Sequence, residues 1–270
     1  MSGPMFRTRA SLRADLLALG LRPGDAVLVH AAMRGVGPLL NGPDALIGAL
    51  SDAVGPDGTV LGYADWDSVH TDLMDEQGRV LPEWRDHVPG FDPARSRAVR
   101  MNGAYPEFLR TTPGARRSGN PGASVVALGG QAEWFTADHP LDYGYGPGSP
   151  FAKLVEAGGR VLMVGAPLDT ATLLHHAEHL AWVPGKRVLR YETPFATPAG
   201  VEWRWTEEFD TSEPVVDGLA EDYFAEIIRA FLAAGTGVRG SIGGAAGVLM
   251  DAAPLCAFGV AWIEERLGTA

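Results

Sequence analysis

Short apolar runs alternate with amphipathic helical patterns through the first third of the chain, and this alternation limits the fold more than any other feature. Leu12, Leu16, Leu17 and Leu19 recur at helical spacing over residues 10–19, and Gly20 ends the pattern. Pro23-Gly24-Asp25 turns into Ala26–His30, a run too short for a helix and apolar enough for a buried strand. A second helix is expected over Pro43–Val54, with proline in its first turn and Gly55 just past its end. Pro56-Asp57-Gly58 then leads into another buried strand, Thr59–Tyr63. Strand, helix and strand in this order predict an α/β fold: a mixed, mostly parallel sheet flanked by helices.

Residues 65–100 break the rhythm. They are acidic, aromatic and proline-rich without clear periodicity, and a stretch this long in a compact protein is expected to be a binding loop or lid. Helices are predicted near 104–112, over 131–138 and from Ser149 to Glu156, with a strand at Ser124–Gly129. Arg160–Gly165 reads as a buried strand running into a helix, Thr170–Val183. Two alternating runs, Arg187–Ala196 and Val201–Phe209, meet at Pro198-Ala199-Gly200 and predict a hairpin. An amphipathic helix (Leu219–Ala234), a glycine-rich strand region (240–252) and a closing helix (254–267) follow. With no repeat and no linker, residues 1–270 are expected to form one domain.

Composition removes several function classes. Lys and Arg number 22 against 33 Asp and Glu, a net charge of −11. Such a chain, with no long basic stretch, is unsuited to nucleic acid or an anionic membrane and better suited to a cationic small molecule. No apolar run approaches the ~20 residues of a membrane span. The charged amino-terminal stretch lacks a secretory core, so the cytoplasm is the expected compartment. The single cysteine, Cys256, excludes a disulfide framework or a multi-cysteine zinc site and is expected in the core.

The segment from Arg160 to His179 is the most informative. A buried strand passes through Gly165, Ala166 and Pro167 into a helix start, with Asp169 or Thr170 as the expected cap. Helix entrances at the carboxyl ends of parallel strands are where α/β sheets bind ligands. Asp169, Thr172, His175 and Glu178 are spaced by three, so successive members fall on neighbouring turns. A histidine held there by a carboxylate suits general-base work near neutral pH, while a surface histidine with a helical ion pair fits the spacing equally well. The same residues spell H-x-x-E-H, in which His175 and His179 would chelate zinc and Glu178 would activate water.

His30 closes its strand and opens Ala-Ala-Met-Arg-Gly-Val-Gly, a small-residue loop whose backbone and Arg34 suit a phosphate-bearing ligand. A buried histidine beside an ordinary loop is the alternative. Gly240–Gly247 resembles a phosphate cradle but flows into an apolar run, so close backbone packing is expected there. Acidic residues gather at Asp65 and Asp67, at Glu178, and at Glu207, Glu208 and Asp210. If they converge, they form a negative cleft suited to a polyamine.

Taken together, these residues resemble the aminoglycoside 3-N-acetyltransferases of the antibiotic N-acetyltransferase family, nearest to the branch that modifies gentamicin-type substrates. The resemblance runs through Val27–Gly37, Ala53–Asp67, Phe91–Ala94, Pro113–Ser124, Gly148–Phe151 and Val164–Glu178. It implies a family-specific α/β fold, acetyl-CoA as donor, no metal, and the 3-amino group of a 2-deoxystreptamine ring as acceptor. It further implies that His175 is the catalytic base and Glu178 the acid beside it, and that the enzyme works by direct transfer in a ternary complex. The oxyanion is expected to be held by a hydroxyl such as Thr172 or by backbone N–H groups. His30, Ala31, Ala32, Met33, Arg34, Gly35, Val36 and Gly37 match the coenzyme loop, and Arg117, Ser118 and Ser124 a second coenzyme motif. Tyr63, Asp65, Asp67, Glu178, Glu208 and Asp210 are the expected contacts of the cationic antibiotic, with the protein a monomer or homodimer. Asn120 stands where the family motif R-S-x-H-P has histidine.

Overall fold

The computed structural model describes residues 6–211 and 214–267; residues 1–5 of the amino-terminal stretch lie outside them. Helix α1 (Arg9–Leu19) starts at Thr8, whose hydroxyl accepts from the Ser11 N–H, and stops at Gly20, where φ is 112°. Strand β1 (Ala26–Ala31), the single turn α2 (Met33–Val36), α3 (Pro43–Val54) and β2 (Thr59–Tyr63) follow. Short helices α4 (Pro82–Arg85) and α5 (Tyr105–Arg110) lead to β3 (Arg116–Arg117), β4 (Val125–Gly129), α6 (Ala132–Thr136) and α7 (Pro150–Glu156). Next come β5 (Arg160–Val164), α8 (Leu173–Leu180) and the hairpin β6 (Val188–Thr197) and β7 (Gly200–Phe209). The chain ends with α9 (Tyr223–Ala233), β8 (Val238–Ile242), β9 (Ala245–Asp251) and α10 (Ala252–Leu267).

Seven strands form one sheet in the order β3-β4-β2-β1-β5-β9-β8, and the hairpin β6–β7 stands apart from it. The sheet is mixed and flanked by helices, as the sequence predicts, but it is mostly antiparallel rather than mostly parallel. Only β1 pairs in parallel, with β2 on one side and β5 on the other. The β2–β4, β3–β4, β5–β9 and β8–β9 pairings are antiparallel. The crossover helices that mark the early strands account for the parallel centre. A buried run of five residues carries no mark of direction, so neither β4 nor the β8–β9 hairpin announced its orientation.

Each face of the sheet is covered. On one, Leu12, Leu16, Leu46, Leu50, Tyr105 and Leu109 from α1, α3 and α5 pack on Val27, Val29, Val60 and Leu162. On the other, Phe135, Phe151, Leu154, Leu174 and Ile263 from α6, α7, α8 and α10 pack on Leu28, Leu61 and Met163. Cys256 lies in this second core as expected, and burial pushes its thiol up to about 11. No helix among the described residues is long and apolar enough to cross a membrane.

Residues 65–100 are bound to the hairpin rather than standing free. Phe91 N–H donates to the Pro194 carbonyl (2.8 Å), Ala196 N–H to the Phe91 carbonyl (2.9 Å), and Glu192 N–H to the Gly78 carbonyl (2.8 Å). Arg85 grips Glu192 through two bonds of 2.5 and 3.1 Å. The apolar residues Val80, Val88, Phe91 and Ala98 are buried without sharing one helix or strand face, which is why the segment shows no period. The glycine-rich region is the β8–β9 hairpin, packed as expected against other backbone. A Cβ on Gly243, where φ is 60°, would fall 2.5 Å from the Val36 carbonyl oxygen.

Candidate active site

The three parallel strands end at one edge of the sheet, and the side chains nearest that edge follow from strand alternation. Ala26 and Leu28 face the core beneath α7 and α8, so His30 is the next residue on that face. Tyr63 follows Leu61 in the same way on β2. Beyond β5 the chain passes Gly165 (φ 62°) into a 3-10 turn, Leu168–Thr170. Helix α8 therefore begins at Leu173, after Thr172 in the cap position, later than the expected Thr170. These elements enclose a cavity of about 270 Å³ lined by His30, Tyr63, Thr172 and His175, with Asn102 and Gly103 closing it from the 65–105 segment.

His175 is held on both sides. Its Nδ1 lies 2.5 Å from Oε2 of Glu178, one turn along α8, and Glu178 is 3% exposed. A carboxylate only accepts, so the contact keeps a proton on Nδ1 and leaves the Nε2 lone pair without a partner among the described residues. The ring packs between Tyr145 and Phe224, with both centroids 4.8 Å away. Next to it, His176 turns the other way and donates from Nδ1 to the Tyr145 carbonyl at 2.7 Å, which places that tyrosine. Lys186 closes the end of α8, donating to the carbonyls of Glu178 (2.5 Å) and Ala181 (2.6 Å).

His175 also lines a second cavity, of about 450 Å³, with Asp169, Glu178, Glu221, Tyr223 and Phe224. His175, Asp169 and Phe224 line both cavities, so the imidazole stands where the two meet. The H-x-x-E-H reading does not survive this arrangement. Glu178 is engaged by His175, while His179 points to a different carboxylate, its Nε2 2.8 Å from Oε1 of Glu208. Among the described residues no three His, Cys, Asp or Glu side chains are placed to hold a metal ion.

A third cavity, of about 650 Å³, adjoins the first across Ala31, Ala32 and Gly103, and is also lined by Met33, Arg34, Arg97, Arg100, Ala104 and Phe108. Of the expected coenzyme loop, His30 through Arg34 line these two spaces. Gly35, Val36 and Gly37 do not: Val36 is wholly buried and its carbonyl accepts from Gly244 N–H at 2.9 Å. Arg117, Ser118 and Ser124 are not at the cavities either. Arg117 donates to Ser124 Oγ (2.9 Å), to the Ser96 carbonyl (2.6 Å) and to the Ala64 carbonyl. Ser124 Oγ donates to the same Ala64 carbonyl at 2.6 Å. Arg117 and Ser124 together fasten the start and end of the 65–100 segment to the sheet.

Asn120 is a structural clasp. Its amide donates to the Pro140 and Leu141 carbonyls (2.8 and 3.2 Å) and accepts from Ala123 N–H (2.9 Å). The acidic positions converge in part. Asp65, Glu207 and Glu208 share a cavity of about 240 Å³ with Trp66, His70 and Tyr191. Burial pushes the Asp65 carboxyl up to about 7, against the opposing pull of the Asn102 amide that donates to it. Asp67 is separated from this group, at the rim of the 650 Å³ cavity. Asp210 faces Arg187, 3.4 Å from its Nε.

Several residues around the site carry no motif in the sequence. Tyr145 sits in a glycine-rich turn, and Phe224 opens a helix whose pattern reads as core. Arg97 and Arg100 had one available signal, as basic residues grouped at the end of an otherwise acidic segment.

Residues 28–264 match the family described as Aminoglycoside 3-N-acetyltransferase. Aminoglycoside N(3)-acetyltransferase III of Pseudomonas aeruginosa is 46% identical over 263 residues, covering 97% of this chain and 95% of that one. A structure of AAC-IIIb in a binary complex with CoASH superposes with a TM-score of 0.97 at 69% identity, covering 98% of this chain and 99% of that one. One of AAC-VIa bound to sisomicin gives 0.92 at 36% identity, covering 98% and 100%.

Proposed function

This chain belongs to the aminoglycoside 3-N-acetyltransferase family, and on that premise we propose that it moves the acetyl group of acetyl-CoA to the 3-amino group of a 2-deoxystreptamine antibiotic, with His175 as general base. The observation that carries the reading is the 2.5 Å contact between His175 Nδ1 and Glu178, on a ring that lines both the 270 Å³ cavity and the acidic one.

The residues present suit both substrates. Small side chains at Ala31, Ala32, Gly103 and Ala104 leave room for a pantetheine arm, and Arg34 and Arg100 stand at its cavity without an ion-pair partner among the described residues, as phosphates require. On the other side, Asp169, Glu178 and Glu221 face an ammonium-bearing ligand. Asp65, Glu207 and Glu208 supply a second acidic chamber.

An aminoglycoside amine is largely ammonium at neutral pH and must lose a proton before it attacks. His175 Nε2 accepts that proton while Glu178 steadies the resulting imidazolium through Nδ1–H. The amine nitrogen forms a bond to the thioester carbonyl carbon, and collapse of the tetrahedral adduct breaks the carbon–sulfur bond. The adduct nitrogen gives up its second proton to the departing coenzyme thiolate, and the proton first taken by His175 returns to solvent. Thr172, at the helix entrance beside His175, offers its hydroxyl to the oxyanion. Both substrates are present together, so the transfer needs no acyl-enzyme.

The test is thiol release from acetyl-CoA by metal-stripped protein with gentamicin, kanamycin, apramycin or no acceptor. Release that depends on gentamicin, with product NMR placing the acetyl group on N3, is the expected result. No acceptor-dependent release with any of the three overturns the reading.

A further inference from the structure

The cavity beside His175 contains a second histidine, and its two ring nitrogens are in unequal surroundings. His30 Nε2 is buried and has no hydrogen-bond partner, whereas Nδ1, equally without a partner among the described residues, is not buried. The ring lines the 270 Å³ cavity with Thr172, Tyr63 and His175. We propose that His30 donates a hydrogen bond from Nδ1–H to the thioester carbonyl oxygen, as a second, neutral oxyanion donor beside Thr172. The proposal rests on the preceding reading that this cavity holds the thioester.

Proton placement decides which nitrogen donates. A neutral imidazole carries one N–H. On Nε2 that proton would be an orphaned donor inside the fold, the rarer and costlier kind of unsatisfied group. On Nδ1 it belongs to the unburied side of a ring that lines the cavity, and the buried atom is only an unpaired acceptor. Among the described residues no carboxylate contacts His30, in contrast to His175, so none of them holds the ring as a cation. Burial lowers its pKa to about 4, and the ring stays neutral wherever the enzyme works. Position agrees with this role. His30 pairs with Met163 at the centre of the parallel core, on the rigid β1 strand, so its ring is fixed before substrate arrives. Two histidines in one cavity then have opposite duties: the carboxylate makes His175 an acceptor at its free nitrogen, and burial of one nitrogen makes His30 a donor at the other.

The experiment compares gentamicin-dependent thiol release by wild type, His30→Leu, His30→Asn and His30→Gln. Asparagine places an amide near the position of Nδ1, and glutamine reaches toward Nε2. Loss of an oxyanion donor predicts a fall in kcat of roughly 10²-fold in His30→Leu, with KM for acetyl-CoA nearly unchanged. His30→Asn restores most of the loss and His30→Gln does not. Equal kcat losses in all three variants, or a rise in KM alone, overturn the proposal.

A second readout needs no variant to be active. In 15N-histidine-labelled wild type bound to a thioether analogue of acetyl-CoA, the His30 signal, assigned by its absence from the His30→Leu spectrum, carries its proton on Nδ1. A proton on Nε2 overturns the donor role. If wild type releases no thiol with any acceptor, the general function fails, and the tautomer still decides the question for His30.

Discussion

Ser118 Oγ lies 2.8 Å from Nδ1 of His139, at the middle of a hydrogen-bonded chain through the interior. Val125 N–H donates to Ser118 Oγ (2.9 Å), and His139 Nε2 donates to the Gly144 carbonyl (2.7 Å). A carbonyl only accepts, so Nε2 carries a proton; with the buried ring neutral, Nδ1 is an acceptor and the serine hydroxyl donates to it. Burial agrees, lowering the His139 pKa to about 4.

Ser118→Ala is therefore predicted to act on stability rather than on the coenzyme. It leaves a buried N–H and a buried imidazole nitrogen unpaired, a loss of ~1–3 kcal/mol in denaturant unfolding. KM for acetyl-CoA should stay at the wild-type value. A raised KM at unchanged stability would return Ser118 to the coenzyme site that its motif suggests.

The His175–Glu178 pair predicts a graded series. His175→Ala should lose roughly 10²-fold or more in kcat, the scale of a general base, while binding acetyl-CoA normally in calorimetry. Glu178→Gln keeps the shape but not the charge, so the imidazolium loses its counter-ion. Its kcat should fall less than that of His175→Ala, with coenzyme affinity again preserved. Turnover near normal in His175→Ala would sink the mechanism.

The mouth of the 650 Å³ cavity predicts a substrate-selective effect. Arg34→Ala and Arg100→Ala should each raise KM for acetyl-CoA about two- to fivefold, as expected for exposed ion pairs of ~0.4–1 kcal/mol. Antibiotic KM should not change. Added salt should weaken acetyl-CoA binding less in the double variant than in wild type, because two screened contacts are already gone. Equal effects on both substrates would place these arginines elsewhere.

The sequence disclosed the site where chemistry and local structure coincide in one segment. His175 and Glu178 meet because they are three positions apart on a helix, and that helix follows a buried strand. His30 is legible as the end of an apolar strand. What escaped depended on chain direction and distant contacts. The antiparallel β4 has the same apolar pattern that a parallel strand would have. Arg117 and Ser124 carry a motif whose partner is the Ala64 carbonyl, more than fifty residues away, and nothing local distinguishes that use from phosphate binding. Asp67 and Asp65 are two residues apart, yet they line different cavities.

Asp65 provides the pH-dependent test. Desolvation raises its carboxyl from 3.8 to about 7, so between these values the folded protein binds a proton that the unfolded chain does not. Its contribution to stability is then fully present below about pH 4 and is lost as pH rises through 7. Asp65→Asn should remove that decline and raise Tm relative to wild type at pH 8, with little difference at pH 4. A tenfold difference in proton affinity between the folded and unfolded chain is worth ~1.4 kcal/mol, an upper bound once solvent relaxation is included. Ligand binding should couple to the same proton. A polycation beside Asp65, Glu207 and Glu208 favours the carboxylate, so antibiotic binding at about pH 7, the middle of the titration, should release a proton. Calorimetry in two buffers of different ionisation heat measures this directly. Wild type should release a fraction of a proton that Asp65→Asn does not. Identical proton release by the two proteins would remove Asp65 from the antibiotic's surroundings.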